Sequence, residues 1–130
     1  MRTSQWIAIA GAALALSMAG CAGKPVYDVT SAPIAASKAN PSMDEIGRAI
    51  QRAGAGLGWQ MQVVRPGQIL GTLALRDHKA VVDVTYDPKT YSIKYKDSTN
   101  LNYDGKTIHN NYNGWIQNLE KGIRTQLSLL

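Results

Sequence analysis

Cys21 is the residue whose position best indicates a chemistry, because it is the only cysteine among the 130 residues. A single thiol cannot form an intrachain disulfide. It follows Ala19 and Gly20 directly, at the end of the apolar run 6–18. Small residues at the end of a short apolar run are typical of the place where a signal peptidase cuts. The pattern therefore predicts cleavage just ahead of Cys21.

The first 21 residues resemble the signal and lipobox of bacterial lipoproteins. The chain has an arginine at position 2, and its apolar run is shorter than the roughly 20 residues that span a bilayer. Met18-Ala19-Gly20-Cys21 matches the lipobox, except that Met18 stands where leucine is usual. The resemblance implies that the peptidase recognises Met18, Ala19 and Gly20, that residues 1–20 are removed, and that acyl chains on Cys21 anchor the protein.

Ala22 would be the second residue of the mature chain. In enteric lipoproteins an aspartate at this place favours retention in the inner membrane, so Ala22 implies the outer membrane. We expect the domain to face the periplasm. Ordinary secretory cleavage, which the small residues of Ser17–Ala19 would also allow, remains the alternative.

Catalytic and metal-binding patterns are weak in the rest of the chain. His78 and His109 are the only histidines, and a zinc site needs more ligands, so we expect no metal and no cofactor. Asp97, Asp104 and His109 could meet near one polar loop, which leaves an envelope hydrolase as the alternative function. The glycines of segment 54–58 follow a predicted helix, whereas a phosphate loop precedes one. We therefore expect that the protein is not an enzyme.

Aromatic and amide side chains are concentrated between residues 91 and 115. The patterns Tyr-Ser-Ile-x-Tyr, Ser-x-Asn-Leu and Ile-His-x-Asn-Tyr-Asn-x-Trp resemble a family of small uncharacterised proteobacterial lipoproteins. The resemblance covers 43–127 and implies an envelope lipoprotein without an assigned activity. Stacking and hydrogen bonding could bind a glycan or peptide here; alternatively, Tyr112 and Trp115 belong to a helix core stripe and the asparagines close turns. The candidate binding residues are Lys94, Lys96, Asn100, Tyr103, His109 and Asn111.

One α+β domain over residues 42–130 is predicted to position these side chains. Residues 21–41 are rich in alanine, serine and proline and predict a flexible tether behind the lipidated cysteine. A helix should begin after Ser42, which forms a capping box with Glu45, and should stop at the glycines of 54–58. The last helix should start near Asn110 or Asn111, either of which can cap it.

Four strands in an antiparallel meander are predicted between these helices. Alternating apolar residues indicate strands over 59–63, 69–76, 80–86 and 91–96. The final hairpin should pair Tyr86 with Tyr91, Val84 with Ile93, and Asp83 with Lys94. Both helices have one apolar face, so we expect the order α-β-β-β-β-α with both helices on one side of the sheet.

The charge of the chain is +5, which favours anionic partners or simply keeps the domain soluble. We expect no nucleic-acid partner, because the protein is predicted to be exported. The membrane is the first expected partner, through the N-terminal lipid, and an envelope protein or cell-wall component is the second. The function predicted from the sequence is a membrane-anchored, non-catalytic binding or assembly module.

Overall fold

The computed structural model describes residues 23–130, so the predictions for residues 1–20 and for Cys21 lie outside the described residues. Nine elements follow each other along the chain. They are β1 (Lys24–Pro25), β2 (Val29–Pro33), α1 (Met43–Gly56), β3 (Gln60–Arg65), β4 (Gln68–Leu75), β5 (His78–Tyr86), β6 (Thr90–Thr99), β7 (Thr107–Ile108) and α2 (Asn110–Ser128). The predicted α+β class is confirmed.

Five of the strands form one antiparallel sheet in the order β2-β6-β5-β4-β3. The predicted register of the β5–β6 hairpin is confirmed for three pairs, Tyr86–Tyr91, Val84–Ile93 and Asp83–Lys94. The carboxylate of Asp87 closes this hairpin by accepting from the backbone amides of Lys89 and Thr90, at 2.7 Å each. These amides stabilise the charged form and so lower the pKa of Asp87.

The number of strands corrects the prediction of four. The fifth strand is β2, which pairs with β6 and buries Val29 opposite Ile93. β1 pairs with β7 in a separate two-stranded sheet. The prediction of a flexible tether over 21–41 is therefore wrong for its strands β1 and β2. Proline content and the absence of a sustained period conceal two short strands, which only their distant partners stabilise.

The chain between β2 and α1 also lies on the domain. The amide of Ile34 donates to the carbonyl of Lys89 at 2.8 Å, and the amide of Lys38 donates to the carbonyl of Leu130 at 3.1 Å. The side chain of Lys38 forms an ion pair with Glu45 of α1. The ordered domain thus begins at β1 rather than with the first helix.

The predicted capping box starts α1. The amide of Glu45 donates to Ser42 Oγ, and the amide of Ser42 donates to the Glu45 carboxylate, each at 3.1 Å. The bond from Lys38 and then the one from the Ser42 amide lower the pKa of Glu45 to about 2. The helix ends at Gly56, within the predicted glycine segment 54–58. A Cβ at Gly54 would overlap the Met61 sulfur, so this glycine lets α1 pack closely on β3.

His109 caps α2, so the prediction of an asparagine cap is wrong. The imidazole Nδ1 accepts from the amide of Asn111 at 3.1 Å, which satisfies one of the free amides at the helix start. The buried faces of α1 and α2 and the apolar side of the sheet form one core. Its largest fully buried members include Tyr112, Ile46, Ile50, Ile69, Ile93, Ile116 and Leu119.

Candidate functional site

A groove lies between the N-terminal half of α1 and the end of β3. Its volume is about 320 Å³ and most of its surface is apolar. It is lined by Met43, Asp44, Gly47, Gln51, Val63, Pro66 and Tyr86. An apolar pocket with a few polar groups is the usual form of a binding site. This groove can take one apolar side chain of a partner.

Close packing between α1 and β5 forms the floor of the groove. A Cβ at Gly47 would lie 2.5 Å from the Tyr86 hydroxyl, so only glycine allows this approach without a shift of the tyrosine. The β3–β4 turn is held against the same residue, because the amide of Tyr86 donates to the carbonyl of Gly67 at 2.9 Å. Gly67 has a φ of 88°, which an L side chain rarely adopts. The groove is therefore preformed.

The strand beside the groove is an edge strand. Within the described residues β3 pairs only with β4, so one row of its backbone amides and carbonyls has no neighbouring strand. Residues 60–64 carry no charge. Val63 and Val64 are 48% and 47% exposed, and Val64 is the extra residue where the β3–β4 register shifts. The groove and this free edge together form the candidate site, which we call the β3 groove.

Lys94 and Lys96, two of the predicted binding residues, lie on β6. The ammonium of Lys94 is 3.9 Å from the carboxylate of Asp28, and it also bonds Thr30. The ammonium of Lys96 is 3.5 Å from the carboxylate of Asp83. Both cations already have carboxylate partners, so they are less available to an anionic ligand than the sequence suggests.

Asn100 and Tyr103 stabilise the segment that follows β6. Asn100 has a φ of 57°, and its side-chain amide donates to the carbonyl of Asp77 at 2.8 Å. His78 Nδ1 lies 2.8 Å from the carbonyl of Asn100. The ring of Tyr103 stacks on Tyr95 with 3.9 Å between centroids, although 42% of Tyr103 stays exposed. These contacts support the structural interpretation of both residues.

His109 and Asn111 lie together at the start of α2. The rings of His109 and His78 have centroids 5.6 Å apart, and the His78 ring is 6.5 Å from that of Trp115. The side chain of Asn111 is exposed and borders two neighbouring depressions together with Trp115. The structure therefore brings three of the six predicted residues, Asn100, His109 and Asn111, into one neighbourhood around His78 and Trp115.

The three side chains considered for a hydrolase make separate local contacts, Asp97 within β6, Asp104 in the loop before β7 and His109 at the start of α2. Asp97 accepts from the amide of Ser98 at 2.8 Å. Asp104 accepts from the backbone amide of Thr107, and this bond is the main reason that the pKa of Asp104 is lowered. His109 caps α2. Within residues 23–130 none of the three forms a hydrogen bond or ion pair with another.

Tyr112 belongs to the core rather than to a binding surface. Its side chain is fully buried, and burial raises the pKa of its hydroxyl. That hydroxyl has no hydrogen-bond partner within the described part of the chain. Its ring meets Tyr95 edge to face at 5.8 Å, so the predicted core role of Tyr112 is confirmed.

Comparison with known proteins identifies no relative. No protein-family model, curated protein or solved structure matches the chain. Residues 23–130 contain no cluster of three or more histidine, cysteine, aspartate or glutamate side chains that could hold a metal. In the same range, no helix is both long and apolar enough to cross a membrane. Function must therefore be inferred from the residues of the site itself.

Proposed function

We propose that the protein is a lipid-anchored lipoprotein of the bacterial outer membrane, facing the periplasm, and that it is a non-catalytic binding module. In this proposal Cys21 carries the anchor, and the β3 groove binds an extended segment of another envelope protein. The free edge of β3 beside a preformed apolar groove is the observation that carries the binding function.

A strand added to β3 would form hydrogen bonds with the backbone amides and carbonyls of its free edge, which pair with no strand within the described residues. Peptides bind sheet edges in this way, with main-chain hydrogen bonds supplying affinity and pockets for alternate side chains supplying specificity. β3 suits such an addition because it has no proline and no charge before Arg65. The groove between Met43, Val63 and Tyr86 would then take one apolar side chain of the added strand.

The charge of the domain favours a different protein, rather than a second copy of this chain, as the partner that binds the β3 groove. Arg2 is the only charged residue before Gly23, so the described domain has 13 basic and 9 acidic residues. This net positive charge disfavours the association of two copies. Arg65 at the end of β3 has no carboxylate partner within the described residues. The favoured partner segment has an apolar residue for the groove and acidic residues nearby.

The anchor can be tested independently of the groove. Cells expressing the full chain are fed an alkyne-tagged fatty acid, and the mature N-terminus is analysed by mass spectrometry. We expect a chain that begins at acylated Cys21, and a Cys21→Ser variant that carries no label. A mature wild-type chain with an unmodified Cys21, or one that begins elsewhere, would contradict the anchor.

The groove is tested by crosslinking in intact envelopes, with a photoreactive residue at position 62 of the full chain. Val63→Lys should reduce a specific adduct by about tenfold or more, because burying an ammonium in an apolar contact costs at least about 1.4 kcal/mol. Val64→Lys is the matched control, since Val64 is equally exposed but does not line the groove. Both variants should keep their stability within about 0.5 kcal/mol.

The identity of the adduct decides between occupants. Mass spectrometry should map the crosslink to an extended segment with an apolar residue and nearby acidic residues. An adduct of two copies of this chain would overturn the choice of partner. If Val63→Lys and Val64→Lys reduce the adduct equally, or if Val63→Lys does not reduce it, the β3 groove is not the binding site.

A further inference from the structure

The distance between the anchor and the folded domain is short. If Cys21 is acylated, as the proposed function requires, only Ala22 and Gly23 separate it from β1. Three residue steps span at most about 11 Å, because consecutive Cα atoms are about 3.8 Å apart. The domain therefore has to stay close to the lipid headgroups, and β1 determines which of its surfaces faces them.

β1 is attached firmly to the start of α2. Lys24 pairs with Ile108 of β7. Asn113 of α2 fastens the next residues from both sides: its side-chain oxygen accepts from the amide of Tyr27 at 2.9 Å, and its side-chain nitrogen donates to the carbonyl of Pro25 at 2.9 Å. The hydroxyl of Tyr27 also donates to Glu120 at 2.6 Å. The chain therefore leaves the domain at a fixed point.

The surface around this point consists of the two depressions that share Asn111 and Trp115. The first has a volume of about 580 Å³ and is bordered by Lys24 and several amides, and the second, of about 250 Å³, extends to Leu75, Arg76 and His78. Among the described residues, no carboxylate lines either depression. We call this region the anchor-side surface.

We infer that the short connection holds the anchor-side surface against the lipid headgroups. Its chemistry suits that position: Lys24 and Arg76 can pair with phosphates, and half-buried Trp115 is the kind of side chain enriched at membrane–water interfaces. Leu75, 45% exposed, adds an apolar contact. The acidic residue next to Arg76 in the sequence is Asp77, and its carboxylate lies 3.7 Å from His78 Nε2.

This orientation directs the β3 groove away from the membrane. Leu75 and Arg76 lie at the turn that ends β4, whereas Pro66 of the groove lies at the turn that begins it. Consecutive turns of an antiparallel meander lie at opposite ends of the strands. The eight residues of β4 separate the two ends by about 24 Å. The partner-binding groove would thus open toward the periplasm.

The test uses the lipidated full chain in vesicles of phosphatidylethanolamine and phosphatidylglycerol that contain a lipid with a quencher on its headgroup. Asn111→Cys places a fluorophore on the anchor-side surface, and Thr85→Cys places one at the far end of β5; both positions are exposed. We expect strong quenching at position 111 and little at position 85. Acylated Cys21 does not react with the fluorophore.

A ten-residue Gly-Ser insertion between Ala22 and Gly23 is the decisive control. It adds about 17 Å of average reach, so the difference in quenching should be lost although the protein stays in the vesicles. Anchored chains with equal quenching at positions 111 and 85, or a full difference after the insertion, would overturn the inference. Wild-type chains that are not acylated would instead contradict the proposed function, so the two failures are distinguishable.

Discussion

The two edges of the sheet are built in opposite ways. β2 is five residues long, ends at Pro33, and has a register shift after Val29 and a φ of 50° at Ser31. These features discourage pairing with another chain. β3 is six residues long and has a register shift only at Val64, near its end, and it exposes Val63 beside the groove. One edge is therefore protected, and the other is left available.

This difference shows what the N-terminal segment contributes. Without it β6, a strand of ten residues, would be the edge of the sheet, and Ile93 would lose its cover. The segment closes that edge and positions the anchor at the same time. The proposed binding of a partner segment depends on the other edge, at β3, which no strand covers within the described residues.

The largest effect on stability is expected for Val29→Asp at the β2 edge. Val29 is 5% exposed, so its replacement puts an unpaired carboxylate into the core. We expect a loss of about 3 kcal/mol in the free energy of unfolding. Urea denaturation followed by tryptophan fluorescence measures it. Val64→Asp on the other edge is the control, with an expected change within about 0.5 kcal/mol. An equally small change in the free energy of unfolding for both variants would show that β2 is not part of the folded core.

The fastening of β1 gives a smaller effect. Asn113→Ala removes the bonds to Tyr27 and Pro25, and we expect a loss of about 1–2 kcal/mol. Hydrogen exchange should become faster at the amide of Tyr27, while the amides of β3 keep their rates. Asn118→Ala, at an exposed position of α2, should change neither quantity. An unchanged rate at Tyr27 would contradict a fixed exit point, and with it the orientation at the membrane.

Local patterns were sufficient for part of the fold. The Ser42–Glu45 capping box and the Val84–Ile93 register follow from neighbouring residues, and both are confirmed. β2 could not be predicted in the same way, because its stability comes from β6, more than fifty residues later in the chain. The asparagine cap failed for a related reason: the backbone places His109, rather than Asn110, at the cap position.

The candidate site was harder to predict than the fold. The aromatic and amide patterns indicated residues such as Asn100, whose side chain is used inside the domain. Val63 and Met43 looked like ordinary members of a strand and a helix face. Their role depends on which strand lies at the edge of the sheet, and a strand's position in a sheet is a global property. The signal in the sequence is a strand with no charge in its first five residues, followed by Arg65 and the Pro66-Gly67 turn.

The smallest expected effect concerns the ion pair that holds the chain between β2 and α1. The pKa of Glu45 is about 2 in the folded protein, below its ordinary 4.5, because Lys38 and then the Ser42 amide stabilise the carboxylate. The stabilisation is therefore present above about pH 4.5 and is lost as the pH falls toward 2. In the wild type the urea midpoint should fall between pH 5 and pH 2.5, and Glu45→Gln should reduce this dependence on pH. High salt should also weaken the dependence in the wild type, because the pair is exposed. Asp44→Asn, at a more exposed position in the same turn, should keep the wild-type change of the urea midpoint with pH. If Glu45→Gln also keeps that change, the ion pair does not hold this segment on the domain.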